Sequence, residues 1–269
     1  MSVFFSFCRL VALALILSSC SGSNPQINDS LLDRIIEHGK IRVGTTADYK
    51  PFSYIMEGSN SDIIGLDIDL AQHLADSLGV ELVLVKTSWP SLITDLQADR
   101  YDIGMSGITI TLSRQKRAFF SDPMMVSGKV AISHSKNVSR FQSIEDINSE
   151  GTRVIFNPGG TNEVFARKHF PNATLIENGE NLTVFEKVRT GEADIMVTDA
   201  IEAIVQAKII PELEAINPEK PLNTFKIAYL MPKDIVFKSY VDQWLDKIKE
   251  DGTFDVLYRQ ALTKLTAQK

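Results

Sequence analysis

The sequence predicts an α/β protein of two similar lobes, each built on a mixed, mainly parallel sheet, with two strands crossing between them. Three observations predict it. Short β-rich runs alternate with amphipathic helical stretches, and parallel pairing needs that kind of crossover. A unit of helix, polar turn and strand occurs twice, since residues 92–107 align without gaps on residues 184–199, an offset of 92. Two further runs, 128–133 and 225–230, are extended and apolar, and either suits one of the strands passing from lobe to lobe.

The elements follow in order. A helix around residues 31–37 precedes a strand at 41–44. Residues 68–78 read as a helix with Leu70, Ala71, Leu74, Ala75 and Leu78 on one face, stopped by Gly79. A strand at 81–85, a helix at 92–98 and a buried strand at 103–105 complete the first unit. Its copy repeats the helix from Val184 and the strand opening Asp194-Ile195, as Asp102-Ile103 opens the first. A helix at 240–249 returns to the first lobe with Trp244, Leu245 and Ile248 as its packing face. The lobes then divide as 29–127 with 226–269, and 128–225. Ligands of open α/β sheets bind beyond the C-terminal strand ends, which sets Ser106-Gly107 and Thr198-Asp199 on opposite sides of a cleft.

Composition narrows the function. The chain has 269 residues, 44% hydrophobic and 23% charged, an ordinary globular mix large enough for two modest domains. A net charge of −6 without a long basic run speaks against a nucleic-acid partner. Four scattered histidines and no Cys/His cluster give no basis for a metal site. At the N-terminus, Arg9 precedes an apolar stretch, 10–17, then Ser18-Ser19-Cys20-Ser21-Gly22. The stretch is too short to span a bilayer and has the layout of a secretory signal. Leu17-Ser18-Ser19-Cys20 resembles a bacterial lipobox, making residues 1–20 a lipoprotein signal and Cys20 the acylated first residue; a plain signal containing a cysteine is the alternative. Residues 21–28 read as a tether, so membrane contact is expected by lipid anchor only, at the periplasmic or outer cell surface. Cys8 would leave with the signal, and no intramolecular disulfide could form.

Several motifs together resemble the bacterial extracellular solute-binding proteins, family 3, that serve amino-acid ABC transporters. They are Pro51-Phe52-Ser53-Tyr54, Gly65-Leu66-Asp67-Ile68-Asp69, Trp89, Ser106-Gly107-Ile108-Thr109 with Arg114, and Phe120-Ser121-Asp122-Pro123. Gly160-Thr161-Asn162-Glu163 and the run from Ala193 to Asp199 continue the resemblance, which covers residues 30–262. It implies the type II periplasmic-binding-protein fold, two lobes closing on a small carboxylate-bearing molecule. Within the family the chain looks most similar to dehydratases. Transport members tend to have Gly-Thr-Thr where this chain has Gly159-Gly160-Thr161, and rarely carry a glutamate in the place of Glu202. The implied activity is that of a carbon–oxygen lyase, by general acid catalysis and with no cofactor. It converts prephenate to phenylpyruvate and arogenate to L-phenylalanine, with loss of water and carbon dioxide. The alternative is a substrate-binding lipoprotein of an amino-acid ABC transporter, whose partner would be the permease; a solvent-facing Glu202 would favour it.

The resemblance also implies a site. Glu202 is the candidate general acid, which must hold its proton near neutral pH through removal from water. Its neighbours Ala200, Ile201, Ala203 and Ile204 permit that, and Asp199 lies on the same side of a helix start. Glu163 competes for the role, but it sits in a first helical turn, where the dipole favours the carboxylate, and is read as structural. Arg114 is the candidate carboxylate clamp, with Ser106 and Thr109 beside it in the same motif. Thr161, after Gly160, either presents free backbone N–H groups to an anion or merely caps its helix. Asp199 would bind the arogenate amino group or orient Glu202, and Lys50 and Asn157 would meet a second carboxylate. Tyr49, Phe52 and Trp89 would wall the ring. Met124 stands where the family usually has tyrosine, which suggests a reshaped lip of the cleft.

Overall fold

A computed structural model describes residues 30–267 except 57 and 60. The expected signal, tether and Cys20 lie outside the described residues. Ser30 caps the helix Leu31–His38, its hydroxyl accepting from the Asp33 amide.

Two five-stranded sheets organise the molecule. The first runs in the order Glu81–Lys86, Lys40–Thr45, Ile103–Gly104, Leu230–Met231, Phe119–Phe120. The second runs Thr174–Glu177, Arg153–Phe156, Ile195–Asp199, Lys129–His134, Leu213–Ile216. In each, the first two ladders are parallel and the last two antiparallel. The sheets are mixed, as expected, but parallel in only half their pairings. The reason is topological: in each sheet a single strand, Leu230–Met231 in the first and Lys129–His134 in the second, runs opposite to the other four and so makes two antiparallel ladders.

Apart from both sheets lies a two-stranded antiparallel ribbon, Met125–Ser127 against Phe225–Ile227. The 225–230 run begins in that ribbon and ends in the first sheet. The 128–133 run does not cross. It belongs to Lys129–His134, paired on both sides inside the second sheet. Its apolar character reflects burial against neighbours on both faces, which a crossing strand lacks.

The internal repeat extends to an ion pair. Arg42 grips Asp102 (Nη2 to Oδ1, 2.6 Å), and the Arg42 amide donates to the same carboxylate. Arg153 does the same to Asp194 at 2.7 Å in the second sheet. Each aspartate opens the strand whose far end reaches the cleft, so the pair fixes that strand's register from behind. Alternation along Ile195–Asp199 sends Ile195 and Val197 to one core and Met196 to the other, both closed by helices.

A three-stranded meander, Asp48–Tyr49, Ser53–Ile55 and Ile63–Ile64, projects Tyr49 toward the cleft. The helix Ile235–Glu250 packs Trp244, Leu245 and Ile248 on the first core. It starts earlier than 240 because Asp234 caps it, accepting from the Phe237 amide. A further helix, Thr253–Ala267, follows that the periodicity did not single out. Met124 is not on a lip of the cleft: it is buried in the first core, its Sδ accepting from the Tyr229 hydroxyl at 3.0 Å. Among the described residues no helix is long and apolar enough to cross a membrane, and no cluster of His, Cys, Asp or Glu could hold a metal.

Candidate active site

The C-terminal ends of Ile103–Gly104 and Ile195–Asp199 meet at one small cavity. Tyr49, Trp89, Gly107 and Thr109 line it from the first lobe, and Asn157, Gly160, Thr161, Asn162, Asn181, Asp199 and Glu202 from the second. The lobes touch around it. The Tyr49 hydroxyl donates to Asp199 Oδ2, and Asn181 Nδ2 donates to the Asp48 carbonyl at 2.9 Å. Gly159, at φ 81°, lies so close to Pro90 that a Cβ would come within 2.6 Å of its nitrogen. The space left is about 20 Å³, room for roughly one water. A ring-sized molecule therefore enters only when the lobes part.

Antiparallel register sets Lys129 opposite Asp199. The ammonium is 2% exposed and bonded to Asp199 Oδ1 at 2.5 Å, Thr161 Oγ1 at 2.9 Å and Asn162 Oδ1 at 2.5 Å. A buried cation of this kind is tolerated only with such partners. Thr161, expected to present an anion site or a cap, thus spends its side chain accepting from a cation, and makes no side-chain cap.

Glu202 is the third residue of the helix Ala200–Ile209 and 1% exposed. Its Oε2 accepts from the Thr198 hydroxyl, while its Oε1 has no partner. The surrounding bonds fix where a proton can sit. Asn162 Oδ1 accepts from Lys129, so the amide nitrogen of Asn162 is the end that donates to Thr198 Oγ1, at 3.1 Å. Thr198 then has its single proton aimed at Oε2. Oε1 is the atom left to carry a proton. Burial drives the Glu202 carboxyl well above the usual range, and the charges of Asp199 and Asp48 push the same way. The Thr198 bond and the Lys129 charge oppose the shift without cancelling it.

Trp89 stands edge-on to Tyr49, with ring centres 5.7 Å apart, and donates its indole N–H to Asp48 Oδ1 at 3.1 Å. Burial raises the Asp48 carboxyl, against bonds from Thr46 and Trp89. Burial, then the Asp199 charge, raises the Tyr49 phenol, which stays a neutral donor. Gly107 is obligatory here: at φ 62°, a Cβ would meet the Tyr49 ring at 2.5 Å.

Of the residues singled out from sequence, Glu202, Asp199, Thr161, Gly160, Thr109, Trp89, Tyr49 and Asn157 line the cavity. Four do not. Ser106 is buried behind Gly107, bonding the Thr46 amide and the hydroxyls of Thr46 and Ser53, so it holds loops together. Phe52 is fully buried beneath Tyr49, its ring centre 5.1 Å away, as a core residue. Lys50 turns its ammonium over the Tyr54 ring at 5.3 Å. Arg114 sits one layer out, its Nη1 donating to the Thr109 carbonyl at 2.9 Å; burial lowers its pKa and the Asp199 charge counters that. Glu163 is fastened outside the cavity, accepting from the Gly159 amide and from Arg167, each at 2.8 Å.

Sequence reasoning set Thr198 at the cleft without giving it a role, and did not select Lys129, Asn162, Asp48 and Asn181 as site residues. Lys129 alone left a signal, as the only charge in the apolar run 128–133.

Fold and site define a two-lobed protein with a cavity between its lobes, and the comparisons give its family. Residues 41–264 match the bacterial extracellular solute-binding proteins, family 3, and the chain belongs to that family. It is 47% identical over 247 residues to a cyclohexadienyl dehydratase of Pseudomonas aeruginosa, covering 92% of this chain and 91% of the relative. An L-cystine-binding protein of Escherichia coli is 26% identical, with 86% and 85% covered. Among solved structures, an ancestral amino acid-binding protein, a precursor of cyclohexadienyl dehydratase, superposes with a TM-score of 0.81 at 37% identity. That match covers 87% of this chain and all of the other. An ancestral cyclohexadienyl dehydratase is 48% identical, with a TM-score of 0.55 and 87% and 97% covered.

Proposed function

We propose that this protein is a cofactor-free dehydratase that converts prephenate to phenylpyruvate and arogenate to L-phenylalanine. One observation carries the reading: a glutamic acid sealed from water, with one oxygen unpartnered, lining an inter-lobe cavity beside a buried lysine. A transport protein needs to grip its ligand and gains nothing from a proton held there. The 47% identity to a dehydratase supports the same conclusion.

The chemistry balances with one proton. The lobes close on the substrate, and Tyr49 and Trp89 bracket the cyclohexadiene ring. Glu202 Oε1 passes its proton to the departing ring hydroxyl, and the C–O bond breaks to release water. The C–C bond to the ring carboxylate breaks as carbon dioxide leaves, and its electron pair completes the aromatic ring. Glu202, now a carboxylate, regains a proton from water when the lobes open. Lys129, beside the cavity, and Arg114, one layer out, supply positive charge near a dianionic substrate. Removal from water lowers the barrier to decarboxylation, because the carboxylate loses its hydration before it loses its charge.

The reading extends to placement. The lobes are 29–127 with 226–269, and 128–225, and the ribbon Met125–Ser127 with Phe225–Ile227 is the hinge between them. Membership in an extracellular family fits an exported protein, and acylation of Cys20 would hold it at a membrane face.

The test is direct. Protein lacking residues 1–20 is incubated with prephenate, and phenylpyruvate is measured. Turnover by the wild type is the expected result. No product, together with a melting temperature raised by an ordinary amino acid, would instead identify a transporter binding protein.

A further inference from the structure

We propose that a side chamber between Asp48 and Asn181 seats the ammonium group of an amino-acid substrate, so that this site distinguishes arogenate from prephenate. The proposal rests on the dehydratase reading of the cleft and deepens it.

The chamber measures about 150 Å³ and shares Trp89, Asn157 and Asn181 with the main cavity. Asp48 is the one charged residue in its lining. Lys86, whose charge acts on that carboxylate, stands at the end of an outer strand and outside the lining. Asn181 is 6% exposed, and its orientation is fixed: Nδ2 donates to the Asp48 carbonyl, which can only accept. Its Oδ1 is therefore the opposite end of the amide, and it is buried with no partner. A buried acceptor left unpaired costs about 1–3 kcal/mol, and a donor arriving with the substrate would relieve it.

The residue first expected to take the amine is already engaged. Asp199 gives Oδ1 to Lys129 and Oδ2 to Tyr49. An ammonium directed there would compete with a buried lysine. In the side chamber it meets the Asp48 carboxylate instead, and the Asn181 amide lines the same space. The keto group of prephenate has no proton to donate, and would set its own oxygen against Asn181 Oδ1. Sites built around hydrogen bonds discriminate strongly against analogues that lack the donor. Burial already raises the Asp48 carboxyl, an environment that an incoming cation would reverse.

The experiment compares kcat/KM for arogenate and prephenate in the wild type, Asp48→Asn and Asn181→Asp. Asp48→Asn keeps an oxygen to accept from Trp89. Any effect of its lost charge on Glu202 falls on both substrates and cancels in the ratio. The arogenate-to-prephenate ratio should fall by about ten- to a hundredfold in Asp48→Asn, the worth of a hydrogen bond to a charged group. It should rise in Asn181→Asp, which adds a second carboxylate. Ratios unchanged from the wild type in both variants, with both substrates slowed alike, would overturn the subsite and leave the dehydratase reading intact. A wild type that converts neither substrate would overturn both.

Discussion

Glu163 and Glu202 occupy the same place in their helices, the third residue of Thr161–His169 and of Ala200–Ile209, and the two side chains end in opposite states. The helix dipole favours a carboxylate at both. Glu163 adds the Gly159 amide and the Arg167 guanidinium, which hold it below the usual range. Glu202 is sealed between the sheets with a single hydroxyl bond, and burial lifts it far above that range. Position within a helix therefore decides little about a carboxyl. What decides is whether its two oxygens find donors before water is excluded.

The comparison breaks most readily at Glu202. Glu202→Gln keeps shape and burial and removes the proton; phenylpyruvate formation should fall by about 10²–10⁴-fold, with the unfolding midpoint little changed. Lys129→Met comes next. It leaves Asp199 buried without its cation, and a denaturant titration should show a loss of about 3–5 kcal/mol. Glu163→Gln sharpens the contrast from the other side. It removes a partly exposed ion pair, so stability should fall by no more than about 1 kcal/mol, and turnover should stay within a few-fold of wild type.

Asp67 supplies the most specific check. It is fully buried, with Oδ2 accepting from the Gly107 amide at 2.6 Å, and burial raises it to about 7 against the bonds from Gly107 and Tyr229. The folded chain therefore holds a proton that the unfolded chain gives up from the ordinary value of 3.8 upward. Stability from this group is fully present below that value and is lost as pH rises through about 7. Asp67→Asn should flatten the decline of unfolding free energy between pH 5 and 7 by up to about 1.4 kcal/mol per pH unit. Its amide oxygen can still accept from Gly107, so activity should persist. An unchanged slope would show that Asp67 is ionised in the fold, and that burial alone does not separate the two kinds of glutamate.

Much of this was legible in the chain. The repeat at an offset of 92 residues marked both strand ends that meet at the cleft, because a strand needs a recognisable helix and turn before it. The resemblance to dehydratases picked out Glu202 and Asp199, and their three-residue spacing among apolar neighbours agreed with the roles it implied. Lys129 did not stand out, since its partner Asp199 is 70 residues away and only strand register brings them together. Ser106 and Phe52 were misplaced for a related reason. Sequence gives a motif's location, while the positive φ of Gly107 decides which neighbouring side chains turn inward. Asn181 gave no signal, because an unpaired amide oxygen exists only once the lobes have met.

An infrared difference spectrum between the wild type and Glu202→Gln at pH 7 tests the held proton most directly. The account predicts a protonated-carboxyl C=O band in the wild type that vanishes in the variant. If the substitution removes only ionised-carboxylate bands, Glu202 is already deprotonated at neutral pH and cannot be the proton donor.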